Sequence, residues 1–354
     1  MFYNCHIHTF TEEDVPRGFL PLGLVRIMAS TTGFSLVSRV LNNLNPFSDN
    51  DSFDRYCKFA RIGKNCSQPD IFEGSRKFYP NGTRFAILAM DMAFMNAGKV
   101  PRDYIKQLEE LANLKTNFPQ VIPFIHIDPR RPGFMDILKK CVEEWDFGGV
   151  KIYPPLGYFP YDDRLNPVYQ YCTEHNIPVI SHCSPYNPVH FKGSKNELEQ
   201  LLSKSKTPIN INGKNRKELC ACFTNPKNWE YVLNDFPELR VCLAHFGSAY
   251  YWKKYLENPS EAENWFVIIK DMIPAHNNLY TDISFTLSEQ EYFSVLKVLL
   301  TDTVLQSKIL FGSDYYMVET KATEKRFALD LRAFIGETYF ESIATNNPKV
   351  FFGV

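Results

Sequence analysis

His6 and His8 stand one residue apart in the opening stretch Met1-Phe2-Tyr3-Asn4-Cys5-His6-Ile7-His8-Thr9. An extended chain turns alternate side chains to the same face, so a strand here presents both imidazoles together. Two neighbouring imidazoles are half of a divalent-metal site. Taken alone, the pair also suits a solvated strand face, so its meaning depends on ligands supplied elsewhere. Candidates occur where apolar runs end. Lys151 sits in Gly149-Val150-Lys151-Ile152-Tyr153, and His182 closes Ile177-Pro178-Val179-Ile180-Ser181-His182. His245 closes Leu239-Arg240-Val241-Cys242-Leu243-Ala244-His245, and Asp314 closes Ile309-Leu310-Phe311-Gly312-Ser313-Asp314. Each has a plainer reading: a hydrogen-bonded structural histidine, a helix-capping aspartate, a lysine paired with a carboxylate. Their joint placement at the ends of separate apolar runs outweighs those readings.

The elements that must position these residues follow from periodicity. After the first strand a long insertion covers about residues 10–82. Its apolar positions suggest one or two helices between residues 22 and 41 and another over 53–62. Connections this long are often lids or pocket walls, and otherwise packing appendages. From Arg84 a rhythm sets in, with strands at 85–90, 121–128, 149–153, 177–182, 239–245, 279–283 and 309–314. Helical patterns lie at 102–118, 132–145, 166–175, 226–235, 249–272 and 290–300, with closing helices at 319–335 and 340–352. A second insertion, 183–224, carries a polar helix near 196–203. Including the first, eight strands are each followed by helix, and their runs are apolar on both faces, as a covered parallel sheet requires. The pattern predicts a single domain over 1–354, an α/β chain of the (β/α)8 TIM-barrel class, with a helical insertion after strand 1 and a long loop after strand 5. In such a barrel the C-terminal strand ends converge on one face, so residues distant in sequence become neighbours there. No glycine-rich phosphate loop opens any helix, which argues against a nucleotide fold.

Composition narrows the partners. A formal net charge of −1, from 39 basic and 40 acidic residues, leaves no electrostatic footprint for nucleic acid or an anionic membrane. Nine cysteines are scattered without a C-x-x-C pair, as suits buried thiols in a reducing compartment. No signal-peptide pattern is evident at the start, and Arg26 and Arg39 interrupt the most apolar early stretch. A cytoplasmic protein acting on a small molecule is expected, with homo-oligomerisation open.

The ordered set of motifs resembles the amidohydrolase superfamily, in the amidohydrolase-related branch of metal-dependent TIM-barrel hydrolases and decarboxylases. The matching pieces are His6-Ile7-His8, Gly149-Val150-Lys151-Ile152-Tyr153-Pro154-Pro155, Ser181-His182, the run from Phe236 to Gly247, and Leu310-Phe311-Gly312-Ser313-Asp314. The close from Asn347-Pro348 to Phe351-Phe352-Gly353 is similar as well. The two insertions depart from shorter members, so specificity does not carry over there.

The resemblance implies one or two divalent metals, most often zinc. His6 and His8 would hold the first with Asp314. In binuclear members a carboxylated strand-four lysine, here Lys151, bridges to a second metal held by His182 and His245. In mononuclear members the strand-five histidine joins the first metal and the strand-six histidine is a free catalytic group. Both arrangements stay open. A metal with an open position lowers the pKa of bound water to about 7. Asp314 would then move the proton, and His245, if not a ligand, would stabilise the oxyanion.

The expected function is hydrolysis of an amide, lactone or ester bond in a small polar substrate. The alternatives are non-oxidative decarboxylation of an aromatic or enoic acid, and a non-catalytic metal-containing binding barrel. Asp91, His126, Asp128, Tyr153, Tyr158, Tyr161, His190, Asp282 and Tyr315 are candidates to line the pocket. Arg130 and Arg131 would bind a substrate carboxylate or form a solvated surface pair.

Overall fold

The computed structural model describes residues 1–19, 67–185 and 187–354. The helices expected within 22–41 and 53–62 lie outside these residues. Eight strands alternate with helices: β1 (Tyr3–Ile7), β2 (Arg84–Leu88), β3 (Val121–His126), β4 (Gly149–Ile152), β5 (Val179–Ser181), β6 (Val241–Leu243), β7 (Leu279–Asp282) and β8 (Ile309–Leu310). Every neighbouring pair is parallel and the sheet order follows the sequence from β1 to β8. The ring is brought together at the β8–β1 seam, where Cys5 N donates to Phe311 O at 2.8 Å and Asp314 N to His6 O at 2.7 Å. This is the (β/α)8 barrel that the sequence rhythm predicts.

The strands form because their short runs are apolar on both sides, one facing the barrel interior and one the helices. Inside, Tyr3, Cys5, Leu88, Phe124, Ile180, Cys242, Tyr280 and Leu310 pack with Phe351 of the helix Asn347–Phe352. Gly149 is glycine for this reason. A Cβ there would fall 2.1 Å from the Phe124 ring. Outside, the helix Tyr104–Asn117 buries Leu108, Leu111 and Leu114, and the Asp103 side chain caps it by accepting from Ile105 N. The helix Gln68–Arg76 starts at a capping box of Ser67 and Asp70.

Three features depart from the expected elements. The region 183–224 is a helical excursion rather than a long loop. It carries Lys195–Leu202, near the expected polar helix, and a second helix, Arg216–Phe223. Asn215 and Glu218 box the start of that helix while Leu219, Cys220 and Phe223 are buried, but two turns are too few for a clear period. The pattern over 249–272 divides into Ser248–Glu257 and Trp265–Ala275. β8 stops at Leu310, short of the expected 314, and Asp314 itself adopts a left-handed conformation. None of the described helices is long and apolar enough to cross a membrane.

Candidate metal centre

Four imidazoles meet at the C-terminal mouth of the barrel, and each has its Nδ1 held by an acceptor. His6 Nδ1 lies 2.8 Å from Asp282 Oδ2, and His8 Nδ1 lies 2.8 Å from Leu88 O. His245 Nδ1 is 3.1 Å from Ser284 O, and His182 Nδ1 is 3.0 Å from His245 Nε2. A carbonyl or carboxylate can only accept, so the protons of His6, His8 and His245 sit on Nδ1. The lone pair on His245 Nε2 then makes His182 Nδ1 a donor too. All four residues therefore carry the proton on Nδ1 and the lone pair on Nε2, the arrangement a metal-binding histidine needs, although the His245 lone pair is engaged by His182 Nδ1. Burial is the largest cause lowering the basicity of each ring, and it pushes His245 down to about 3. The rings stay neutral.

The strand geometry that aims them includes an irregularity. Tyr3 and Cys5 face the barrel interior, so strict alternation would send His6 outward. The β1–β2 register shifts between Asn4 and Ile7, and a local bulge of this kind re-aims a side chain. As a result the His6 ring reaches the His245 ring at a centroid distance of 4.9 Å, and the His8 ring at 5.3 Å.

Lys151 and Asp314 complete the group. Lys151 is fully buried on β4, and its Nζ has no hydrogen-bond partner. Burial lowers it to about 8, while Asp282 and Asp314 pull the other way. Asp314 has a left-handed backbone at φ 59°, and its side chain makes no cap bond to the helix Tyr315–Lys321, so the capping reading fails. Its Oδ1 is buried without a partner, and burial raises the carboxyl to about 8. His6, His245 and Asp314 can each offer one ligand atom, with all three within 4.8 Å of one another. His6 Nε2, His182 Nε2, Lys151 Nζ and Asp314 Oδ1 are all buried and unpartnered. Leaving the imidazole lone pairs and the Asp314 oxygen unsatisfied is costly unless a cation takes them up, so these residues fit a divalent metal.

Asp282, expected in the pocket wall, instead positions the cluster from behind. Besides His6 it accepts from His245 N at 2.9 Å and from Ser284 N at 3.0 Å, and the Ser284 hydroxyl also bonds it. Burial pushes its carboxyl up, but the contacts with His6 and His245 outweigh this and hold it well below the usual range. Ser284, which sequence reasoning missed, lies 3.2 Å from His6 Nδ1 and 3.0 Å from His245 Nδ1 through its Oγ. A lone serine after a strand carries no sequence signal. His245 itself has φ 69°, and Phe246, Gly247 and Ser248 follow with positive φ. Thr286 Oγ donates to His245 O at 2.6 Å, which helps hold this unusual turn.

A cavity of about 460 Å³ opens above the cluster. His8, His182, His245 and Asp314 line its floor, with Tyr153, Phe10, Phe19, Met90, Val189 and Phe285 along the walls and Lys217, Glu289 and Lys321 among the other lining residues. Of the expected pocket residues, Tyr153 is in place. The other eight are not among the lining residues. Tyr158 donates to Ile127 O and accepts from Tyr153 N, and the Tyr161 ring stacks on Phe159. His126 Nδ1 accepts from Asp91 N, and His190 Nδ1 donates to Asn187 O. The two arginines fit neither expected role. Arg130 grips Asp128 with contacts of 2.8 and 2.6 Å, and Arg131 grips Asp91, so both are spent in partly buried ion pairs.

Comparison with known proteins agrees with this fold. The amidohydrolase family model matches residues 85–354, a span that begins after β1 and so leaves His6 and His8 outside it. Among curated proteins there is no match. A 4-oxalomesaconate hydratase from Rhodopseudomonas palustris is similar in structure, with a TM-score of 0.53 at 15% identity over 100% of this chain and 96% of that one. An amidohydrolase from Burkholderia multivorans with bound zinc gives 0.53 at 11% identity, covering 84% of this chain and 92% of that one. A structure described as amidohydrolase II gives 0.56 at 11% identity, with 100% of both chains covered. At these identities the likeness is one of fold.

Proposed function

The chain belongs to the amidohydrolase family, and we propose that it is a metal-dependent hydrolase whose centre is built from His6, His8, Lys151, His182, His245 and Asp314. The observation that carries this reading is the group of buried, unpartnered polar atoms at the barrel mouth. Imidazole and carboxylate donors suit zinc, and a protein of the same fold holds that metal. When bound, a divalent metal supplies Lewis-acid chemistry, acidifying a water molecule and polarising a carbonyl.

The chain's own residues do the rest. Asp314 Oδ1 takes a proton from the attacking water and returns it to the leaving group, a task open to a buried carboxyl oxygen that has no other hydrogen-bond partner. His245 carries its proton on Nδ1, so Nε2 has no hydrogen to donate to an oxyanion and can act as a ligand once the His182 contact gives way. Lys151 Nζ, lowered to about 8, has a neutral fraction at physiological pH and is the group assigned to carboxylation. The apolar cavity walls exclude water from the bound substrate. The substrate is a small polar molecule with an amide, lactone or ester bond.

The test is metal content by elemental mass spectrometry, together with turnover of an amide, lactone and ester panel. His6→Ala and Asp314→Ala should lose both metal and turnover, whereas full metal and activity in both variants would sink the reading. Two metals per chain support carboxylated Lys151. Release of carbon dioxide from aromatic or enoic acids, without hydrolysis, replaces the hydrolase by a decarboxylase.

A further inference from the structure

Behind the cluster, on the helix side of the β8–β1 seam, lies a polar network that the chemistry above does not use. Asn4 is fully buried on β1. Its Oδ1 accepts from Ser313 N at 3.0 Å and, more weakly, from His6 N at 3.4 Å. Its Nδ2 reaches Ser313 Oγ at 2.8 Å, Tyr79 OH at 3.1 Å and Glu324 Oε1 at 3.4 Å. Tyr79 OH donates to the same Glu324 oxygen at 2.6 Å. Glu324 opens the helix Glu324–Ile335 and is fully buried, and no ion pair to it exists among the described residues.

An interior carboxyl without a cation is expensive to keep. What this one does is fix the rotamer of a single amide. Asn4 has one acceptor oxygen to share and two amide hydrogens to place. With Glu324 and Tyr79 on the Nδ2 side, the amide cannot flip, and Oδ1 must face the backbones of His6 and Ser313. Those backbones carry one candidate ligand directly and the other, Asp314, one residue on. The adjoining bond from Asp314 N to His6 O ties the same two residues.

We infer that Asn4, locked by Glu324 and Tyr79, is the positioning residue that sets His6 against Asp314 across the seam, and that the affinity of the centre for its metal depends on it. The inference rests on the metal-centre reading above. Outer partners of this kind alter metal affinity by about 10–100-fold when removed.

The test uses the full chain stripped of metal, with zinc ion alone as the probe, titrated in competition with a chromophoric chelator. Thermal unfolding of the metal-free proteins is measured alongside. Asn4→Ala should weaken zinc binding about 10–100-fold. Glu324→Leu removes the carboxyl that both Tyr79 and Asn4 bond, and with it part of the lock on the amide, and should fall in the same direction. Glu324→Gln keeps an oxygen for Asn4 and Tyr79 and should restore affinity to within about 3-fold, as a conservative replacement of an orienting partner. A network that merely staples the barrel would lower the unfolding temperatures and leave zinc affinity alike in all folded variants. That result overturns the inference. If Asn4→Ala does not fold, the comparison of Glu324→Leu with Glu324→Gln decides, and equal affinities count against it. Failure of the unaltered chain to take up zinc is a different outcome, which removes the metal centre itself.

Discussion

The Asp282 carboxylate holds the His6 ring: Nδ1 donates to Oδ2 across 2.8 Å, and neither side chain is exposed. The other oxygen of the same carboxylate accepts from His245 N. One residue at the end of β7 thus sets an imidazole from β1 and the backbone of another just past β6, although the three are far apart in sequence. This is the carboxylate–histidine arrangement that fixes a tautomer and makes the far nitrogen a better ligand.

Asp282→Asn keeps the shape and removes the charge, and half of the possible amide orientations place a donor against the His6 N–H. The chain should fold, and zinc affinity should drop about 10–100-fold. Chelator competition on the purified variant measures this, and an unchanged affinity would show that Asp282 is not orienting a ligand.

Gly312 presses on the same histidine. An added Cβ would lie 2.8 Å from His6 Cβ and 3.3 Å from His6 N. Gly312→Ala should therefore cost about 1–3 kcal/mol through overpacking. Metal per chain should fall with it, because His6 is what must move. Urea unfolding and elemental analysis read the two effects separately.

Arg102 joins the segment after β1 to the helix Tyr104–Asn117. It bonds Asp14, which is 2% exposed, as well as Glu110. Arg102→Ala strands a buried carboxylate and should cost about 3–5 kcal/mol in equilibrium urea unfolding. Adding Asp14→Asn to it should recover part of the loss, since the uncompensated charge is then gone. A double variant as unstable as the single one would refute that account.

Glu324 gives a pH signature. Burial pushes its carboxyl up to about 7, against the pull of hydrogen bonds from Ser313, Tyr79 and Asn4, with Glu319 adding to the rise. The folded chain then binds the proton more tightly than the unfolded chain, where the value is about 4.3. Its contribution to stability is present in full below that value and is lost as pH rises through about 7. The loss is of the order of 3 kcal/mol. Metal-free protein should weaken relative to Glu324→Gln between pH 5 and 8. Parallel pH profiles for the two would contradict this.

Much of the architecture was legible in order along the chain. Seven of the expected strands overlap observed ones from β2 onward, and His6-Ile7-His8 marked the end of β1. Short apolar runs separated by amphipathic stretches are a local signal, and parallel strands need covered faces, so the barrel class followed. What was not legible depends on partners. The helix Arg216–Phe223 is too short to show a period by itself. Asp282 looked like a pocket residue because a polar strand end faces the mouth in most barrels, yet its partners turn it toward His6. Arg130 and Arg131 looked free because Asp128 and Asp91 become their partners through side-chain geometry that sequence does not show.

The sequence by itself determined the eight-strand rhythm and the identities of the six residues at the strand ends, because hydrophobic period and residue type are local properties. The tertiary structure alone decided which nitrogen of each histidine is free, that Asp314 caps nothing, and that Asp282, Ser284 and Asn4 stand behind the centre. Those outcomes rest on hydrogen bonds between residues as far apart as Asn4 and Ser313, and on a register shift in β1 that turns His6 inward. A tautomer or an aim is a property of a neighbourhood, and only the closed barrel creates the neighbourhood.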